Sequence, residues 1–220
     1  MSVTADSIPQ PASQDAEGTK KVVVRKPRGQ YRNGIIQRER ILESATELFA
    51  RHGYAGASLR QIAAGVGVTP GNVLLHFGSK EGLLMAVLDR WTATSFQSRE
   101  TSEGLDNLRS LSGLMKEHLS ERKFIELFMT MASEATDPEH PAHDLMVARY
   151  EDVVARIAAD LAYASQHGQI RPLDEHEISV CARRVVAMMD GLQIQWLLNP
   201  SVDLVAEFED FLDALIHRIS

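Results

Sequence analysis

The chain has one cysteine, Cys181. A lone cysteine closes no intramolecular disulfide, and no Cys/His spacing of a structural zinc site accompanies it. It reads as a small buried helix residue in a reducing compartment. No apolar run approaches the ~18 residues that a membrane helix needs, and no apolar segment follows a basic start as in a secretory leader. The expected setting is therefore the cytoplasm, with no membrane partner. Gly-rich phosphate loops, nucleophile elbows and DNA-modifying motifs are all missing, which argues against an enzyme and implies no cofactor. The nearest approach to a metal cluster is His140-Pro-Ala-His143 with Asp137, Glu139 and Asp144. It lies in a proline-bearing loop rather than on one face of a helix, so no metal is expected there.

A net positive charge is missing too: the formal charge is −7. Its distribution matters more than its sum. Residues 18–80 hold eleven basic side chains against three acidic ones, a net of +8, whereas 101–220 carry ten against twenty-one, a net of −11. Such a dipole suggests that one end meets a polyanion and the other does not. With 44% hydrophobic and 24% charged residues in 220, the chain can bury a real core as one large domain or two modest ones.

Helical periodicity runs through nearly everything beyond the N-terminus. Residues 1–19 are polar and aperiodic and read as disordered. The basic arm 20–33 (KKVVVRKPRGQYRN) is broken by Pro27 and Gly29 and suits the minor groove or phosphates, with Arg28 and Tyr31 as contacts. A first helix is expected from Ile35/Ile36 to His52, ended by Gly53. Ser58-Leu-Arg-Gln61 forms a capping box for a second, running to about Ala64. Thr69 caps a third, with Pro70 at its first position, ending near Phe77. Further helices are expected at about 80–99, 105–119, 122–134, 145–167, 175–198 and 202–219. No strand pattern and no internal repeat appear. The expected fold is all-α with about nine helices. The expected division is an arm at 1–33, a first helical unit at 34–94 that holds a helix-turn-helix at about 57–77, and a second helical unit at 95–220.

Residues 59–78 have the constraints of a helix-turn-helix. Ala63 sits where only a small side chain lets two helices approach. Gly67 follows four residues later in the turn, where a positive φ is easiest for glycine. Ile62, Val66, Val68 and Val73 supply the apolar contact between the helices. The segment from Arg38 to Trp91 resembles the TetR family of regulators. The resemblance is carried by Ala45–Phe49, Gly53-Tyr54, Ser58–Ala63, Gly67-Val68-Thr69, His76-Phe77 and Ser79-Lys80-Glu81. MMDGLQIQWLLNP at 188–200 is a weaker match to the family's penultimate helix. The resemblance implies an all-α homodimer whose first three helices bind DNA and whose remainder binds a small molecule and dimerises. It also implies repression relieved by that ligand.

On DNA, the first turn of the recognition helix should face the bases: Thr69, Pro70, Gly71 and Asn72. A carboxamide can pair with adenine N6 and N7, which makes Asn72 the expected base reader. Arg60 can reach a phosphate or a guanine edge. Ser58, Gln61 and Thr69, at helix starts, suit phosphate. Lys80 resembles the family's phosphate-contacting lysine. His76 resembles a position near the DNA backbone or else packs beneath the fourth helix. Where many members carry an aromatic residue, this chain has Leu74 or Leu75, which can meet a thymine methyl or simply pack.

For the regulatory half, Phe96, Phe124, Phe128, Met131, Tyr150 and Met189 are candidate pocket walls, with His118 and Gln193 as polar groups that orient an apolar or amphipathic effector. Trp196, Leu204, Phe208, Phe211, Leu212 and Leu215, on the last two helices, are candidates for the dimer interface. A twofold dimer predicts a near-palindromic operator on double-stranded DNA. The alternatives are a transcriptional activator of the same fold and a helical interaction module that never touches DNA.

Overall fold

In the computed structural model the backbone is described for residues 28–96 and 103–220, and side chains for 32–90 and 103–220. Nine helices and no strand occur among these residues. The arm residues 20–27 lie outside them, as do the side chains of Arg28, Tyr31 and Phe96.

The first four helices make one unit. Helix α1 (Arg28–Gly56) starts earlier than Ile35, because the end of the basic arm is already helical. Its buried stripe of Ile41, Leu42, Ala45 and Phe49 recurs at helical spacing, and the helix packs against α2, α4 and α6. At Gly53 the backbone leaves the helix with φ 67°, then makes one more turn to Gly56. Helices α2 (Leu59–Gly65) and α3 (Pro70–Phe77) are short and capped as the sequence predicts. The Gln61 amide N–H donates to Ser58 Oγ at 3.2 Å, and the Ser58 N–H to Gln61 Oε1 at 3.0 Å. The Asn72 N–H donates to Thr69 Oγ1 at 3.3 Å, with Pro70 at the first position of α3. Between them the Val68 N–H bonds the Ala63 carbonyl at 2.9 Å, and Gly67 takes φ 72°. Helix α4 (Lys80–Phe96) covers the pair with Leu83, Leu84, Val87 and Leu88.

Helices α5 (Leu105–Ser120), α6 (Arg122–Glu134), α7 (His143–Gln166), α8 (Glu175–Leu198) and α9 (Leu204–Ile219) form the rest. α7 packs along α8, and α9 along α5 and α8. Two hydrophobic cores result, and the first of them extends across residue 94. The first joins α1–α4 to Leu127, Phe128 and Met131 of α6 and Met146 of α7. The second runs through α5, α7, α8 and α9. α6 lies lengthwise on α1 and belongs to both halves.

The stripe on α9 faces inward. Leu204, Phe208, Leu212 and Leu215 are buried within the chain's own second core, as is Trp196 of α8. Side chains already removed from water in one protomer offer little apolar surface to a partner. Only Phe211 of that set is half-exposed. The apolar side chains that α8 shows to solvent are Ile194 and Leu198, 46% and 82% exposed.

Candidate nucleic-acid interface and regulatory core

The outer surface of α2 and α3 is built by two caps and a tight turn. From Leu48 to Lys80 the chain has no Asp or Glu. Arg60 stands exposed on α2. Ser58 and Gln61 are exposed, yet both side chains are committed to the capping box, and the Ser58 hydroxyl donates to Gln61 Oε1 at 2.8 Å. Pro70 and Gly71 lie at the surface, while His76 is half-buried. Asn72 departs from the expected geometry. It is half-buried, and its Oδ1 is removed from solvent without a hydrogen-bond partner. Bidentate pairing with adenine needs that oxygen outward, so this side chain must rotate before it can read a base as expected.

Lys80 is held rather than free. Its Nζ lies 4.4 Å from the Tyr54 ring centroid, a cation–π contact. Partial burial lowers the Lys80 pKa, opposed by the Glu134 carboxylate. Glu134, at the end of α6, reaches the kink of α1, where its Oε2 accepts from the Tyr54 N–H at 2.7 Å. A Cβ on Gly53 would fall 1.8 Å from Glu134 Oε1, so a side chain there would push the Glu134 carboxylate aside as well as strain a backbone of positive φ. The loop histidines have structural partners. His140 packs edge-on to Tyr54 at 5.3 Å, with Nε2 3.4 Å from Glu134 Oε2 but not aligned as a hydrogen bond. His143 Nδ1 lies 2.8 Å from the Ala135 carbonyl. Sequence reading missed this chain of contacts from the α6–α7 loop through Glu134 and Tyr54 to Lys80. Its partners are about eighty residues apart, with no local pattern to pair them.

The expected pocket residues divide between the cores. Phe128 and Met131 are buried in the first core, with Phe124 packed against it. Met189 and Gln193 lie in α8, and His118 at the end of α5. Tyr150 touches both cores, with its ring 5.9 Å from Phe128. His118 and Gln193, 8% and 3% exposed, meet through Gln193 Nε2 and His118 Nδ1 at 2.8 Å. His118 Nε2 and Gln193 Oε1 are buried and have no hydrogen-bond partner. With Gln193 donating, the pair presents one donor on His118 and one acceptor on Gln193, and the reverse assignment also leaves one of each. Burial, helped by nearby Arg149, drives the His118 pKa down to about 4, so the ring is neutral. Sequence reading did not single out the charged pair beside it. The Tyr150 hydroxyl donates to Asp190 Oδ2 at 2.8 Å, and the Arg149 guanidinium lies 5.2 Å from the Phe128 ring centroid. Burial raises Asp190 and Tyr150 and brings Arg149 down to about 9. A carboxylate inside the apolar run MMDGLQ was the signal available.

A capped helix-turn-helix on an acid-free surface, joined to a larger helical half, defines a DNA-binding transcription regulator. The family model for bacterial regulatory proteins of the tetR family matches residues 41–87. The chain is 31% identical over 189 residues to the HTH-type transcriptional regulator TtgR of Pseudomonas putida, covering 80% of this chain and 88% of that protein. It is 27% identical over 186 residues to the HTH-type transcriptional repressor AcnR of Corynebacterium efficiens, covering 84% and 94%. Among solved structures, SmeT in complex with triclosan has a similar fold, with a TM-score of 0.69, 24% identity and coverage of 82% and 91%. The chain belongs to the TetR family of transcriptional regulators, and it is not an enzyme. No helix among the described residues is long and apolar enough to cross a membrane.

Proposed function

We propose that this regulator is a cytoplasmic repressor. It holds a near-palindromic operator as a homodimer and releases it when a neutral, mostly apolar effector enters between α5, α7 and α8. Arg60, Thr69, Pro70, Gly71, His76 and Lys80 meet the operator, with Asn72 after rotation. Ser58 and Gln61 fix the start of α2 at this surface, their own N–H groups being closed in the capping box. The observation that carries the release is the shared core: α6 lies on α1, and Glu134 at its end is bonded to the backbone beside the ring that holds Lys80. A shift of α6 therefore moves a phosphate contact. The buried donor and acceptor on His118 and Gln193 favour an effector that both accepts and donates a hydrogen bond. The compensating charges of Arg149 and Asp190 give no net charge for an ionic ligand to neutralise. The dimer forms through the outward face of α8, where Ile194 and Leu198 lie.

Fluorescence anisotropy with the full chain on DNA from upstream of its own gene, at two salt concentrations, tests the operator part. Sequence-dependent binding that falls steeply with salt is expected. Lys80→Ala should weaken all sequences alike and lower the salt slope by about 1 per protomer. Equal affinity for operator and scrambled DNA would count against the reading.

A further inference from the structure

The face that α3 turns to solvent has almost nothing polar to offer. Leu75 is 81% exposed and Leu74 41% exposed on a helix of eight residues. Beside them lie Pro70 and Gly71, neither of which has a hydrogen-bonding side chain. Thr69 Oγ1 is engaged in the cap, and the Asn72 oxygen is turned inward. The sequence alone left these leucines free to pack, but no described part of the chain covers Leu75. An apolar face of this kind asks for a partner. The surroundings choose a polyanion rather than an apolar protein surface, because the stretch from Leu48 to Lys80 carries Arg51, Arg60 and Lys80 and no acid.

In the major groove every base edge offers donors or acceptors, and the one apolar feature is the C5 methyl of thymine. We infer that this regulator reads its operator through thymine methyls, with Leu75 as the main contact and Leu74 beside it. The inference rests on the operator-binding reading and specifies what α3 recognises. Each half-site then carries a thymine where the recognition helix lies, and a purine or cytosine there leaves the leucine against a polar edge.

The test compares thymine with 2′-deoxyuridine, which pairs identically and lacks only the methyl. Duplexes bound by the full-length protein are first selected from a random-sequence library. The consensus duplex is then made in both forms and titrated by fluorescence anisotropy. The wild type should bind the deoxyuridine form about fourfold more weakly for each methyl that Leu75 or Leu74 would have met. Leu75→Ala, at a surface position and expected to melt as the wild type does, should bind both forms with nearly equal affinity. Equal wild-type affinity for the two forms overturns the inference. So does a thymine preference that persists undiminished in the Leu74→Ala/Leu75→Ala double variant, since methyl-dependent duplex shape would then be the cause. If the selection yields no consensus, the operator reading itself fails, and that outcome is distinct because no duplex emerges to compare.

Discussion

His118 shows what burial does to a single residue. An imidazole with a pKa of about 4 in the fold takes up its proton far later than the same ring in the unfolded chain, near 6.5. Because the folded value is the lower one, this group favours the fold above pH 6.5, and that contribution is lost as the pH falls towards 4. The loss amounts to about 3 kcal/mol when complete. Urea unfolding at a series of pH values should show stability dropping through this window, with a shallower slope in His118→Gln. An unchanged slope in that variant would remove His118 as the cause. Gly53 is constrained differently: its φ of 67° disfavours any side chain, and Glu134 fills the space one would occupy. Gly53→Ala should cost about 1–3 kcal/mol in thermal unfolding. A variant as stable as wild type would mean that Glu134 swings aside freely.

At the scale of the element, the caps decide where helices begin, and caps are legible in sequence. The bounds of α3 follow from Thr69, Pro70 and Gly78, and those of α8 from Asp174 and the break at Asn199-Pro200. Ser58→Ala removes the capping box of a seven-residue helix. It should lower stability by about 1 kcal/mol and weaken operator binding along with it, as unfolding and anisotropy would show. Retained stability would make the box redundant with the packing of Ile62 and Ala63. The start of α1 was not legible, because residues 28–34 carry a glycine at position 29 and no apolar stripe to announce a helix. The orientation of Asn72 was not legible either, since residue type does not determine which way a half-buried carboxamide turns.

For the whole molecule, periodicity reveals that a helix face is buried but not what buries it. The stripe on α9 fits an intersubunit bundle as well as its own α5, and only the three-dimensional arrangement shows the latter. The face left over on α8 makes a distinct prediction. Leu198→Glu should shift the protein from dimer to monomer in light scattering, with operator affinity falling because two half-sites no longer bind together. A dimer unaffected by this change would move the contact elsewhere.

The contact of α6 with α1 has a practical corollary for anyone recombining such proteins. The DNA-reading head ends at no clean seam, because Leu127, Phe128 and Met131 complete its interior from the far side of residue 94. A head cut out there loses part of its own hydrophobic filling, and a head transplanted onto a foreign effector domain meets the wrong surface. Chimeras that change operator choice while keeping effector response must therefore carry the matching face of α6 along with the first four helices, or confine the exchange to the outer residues of α3.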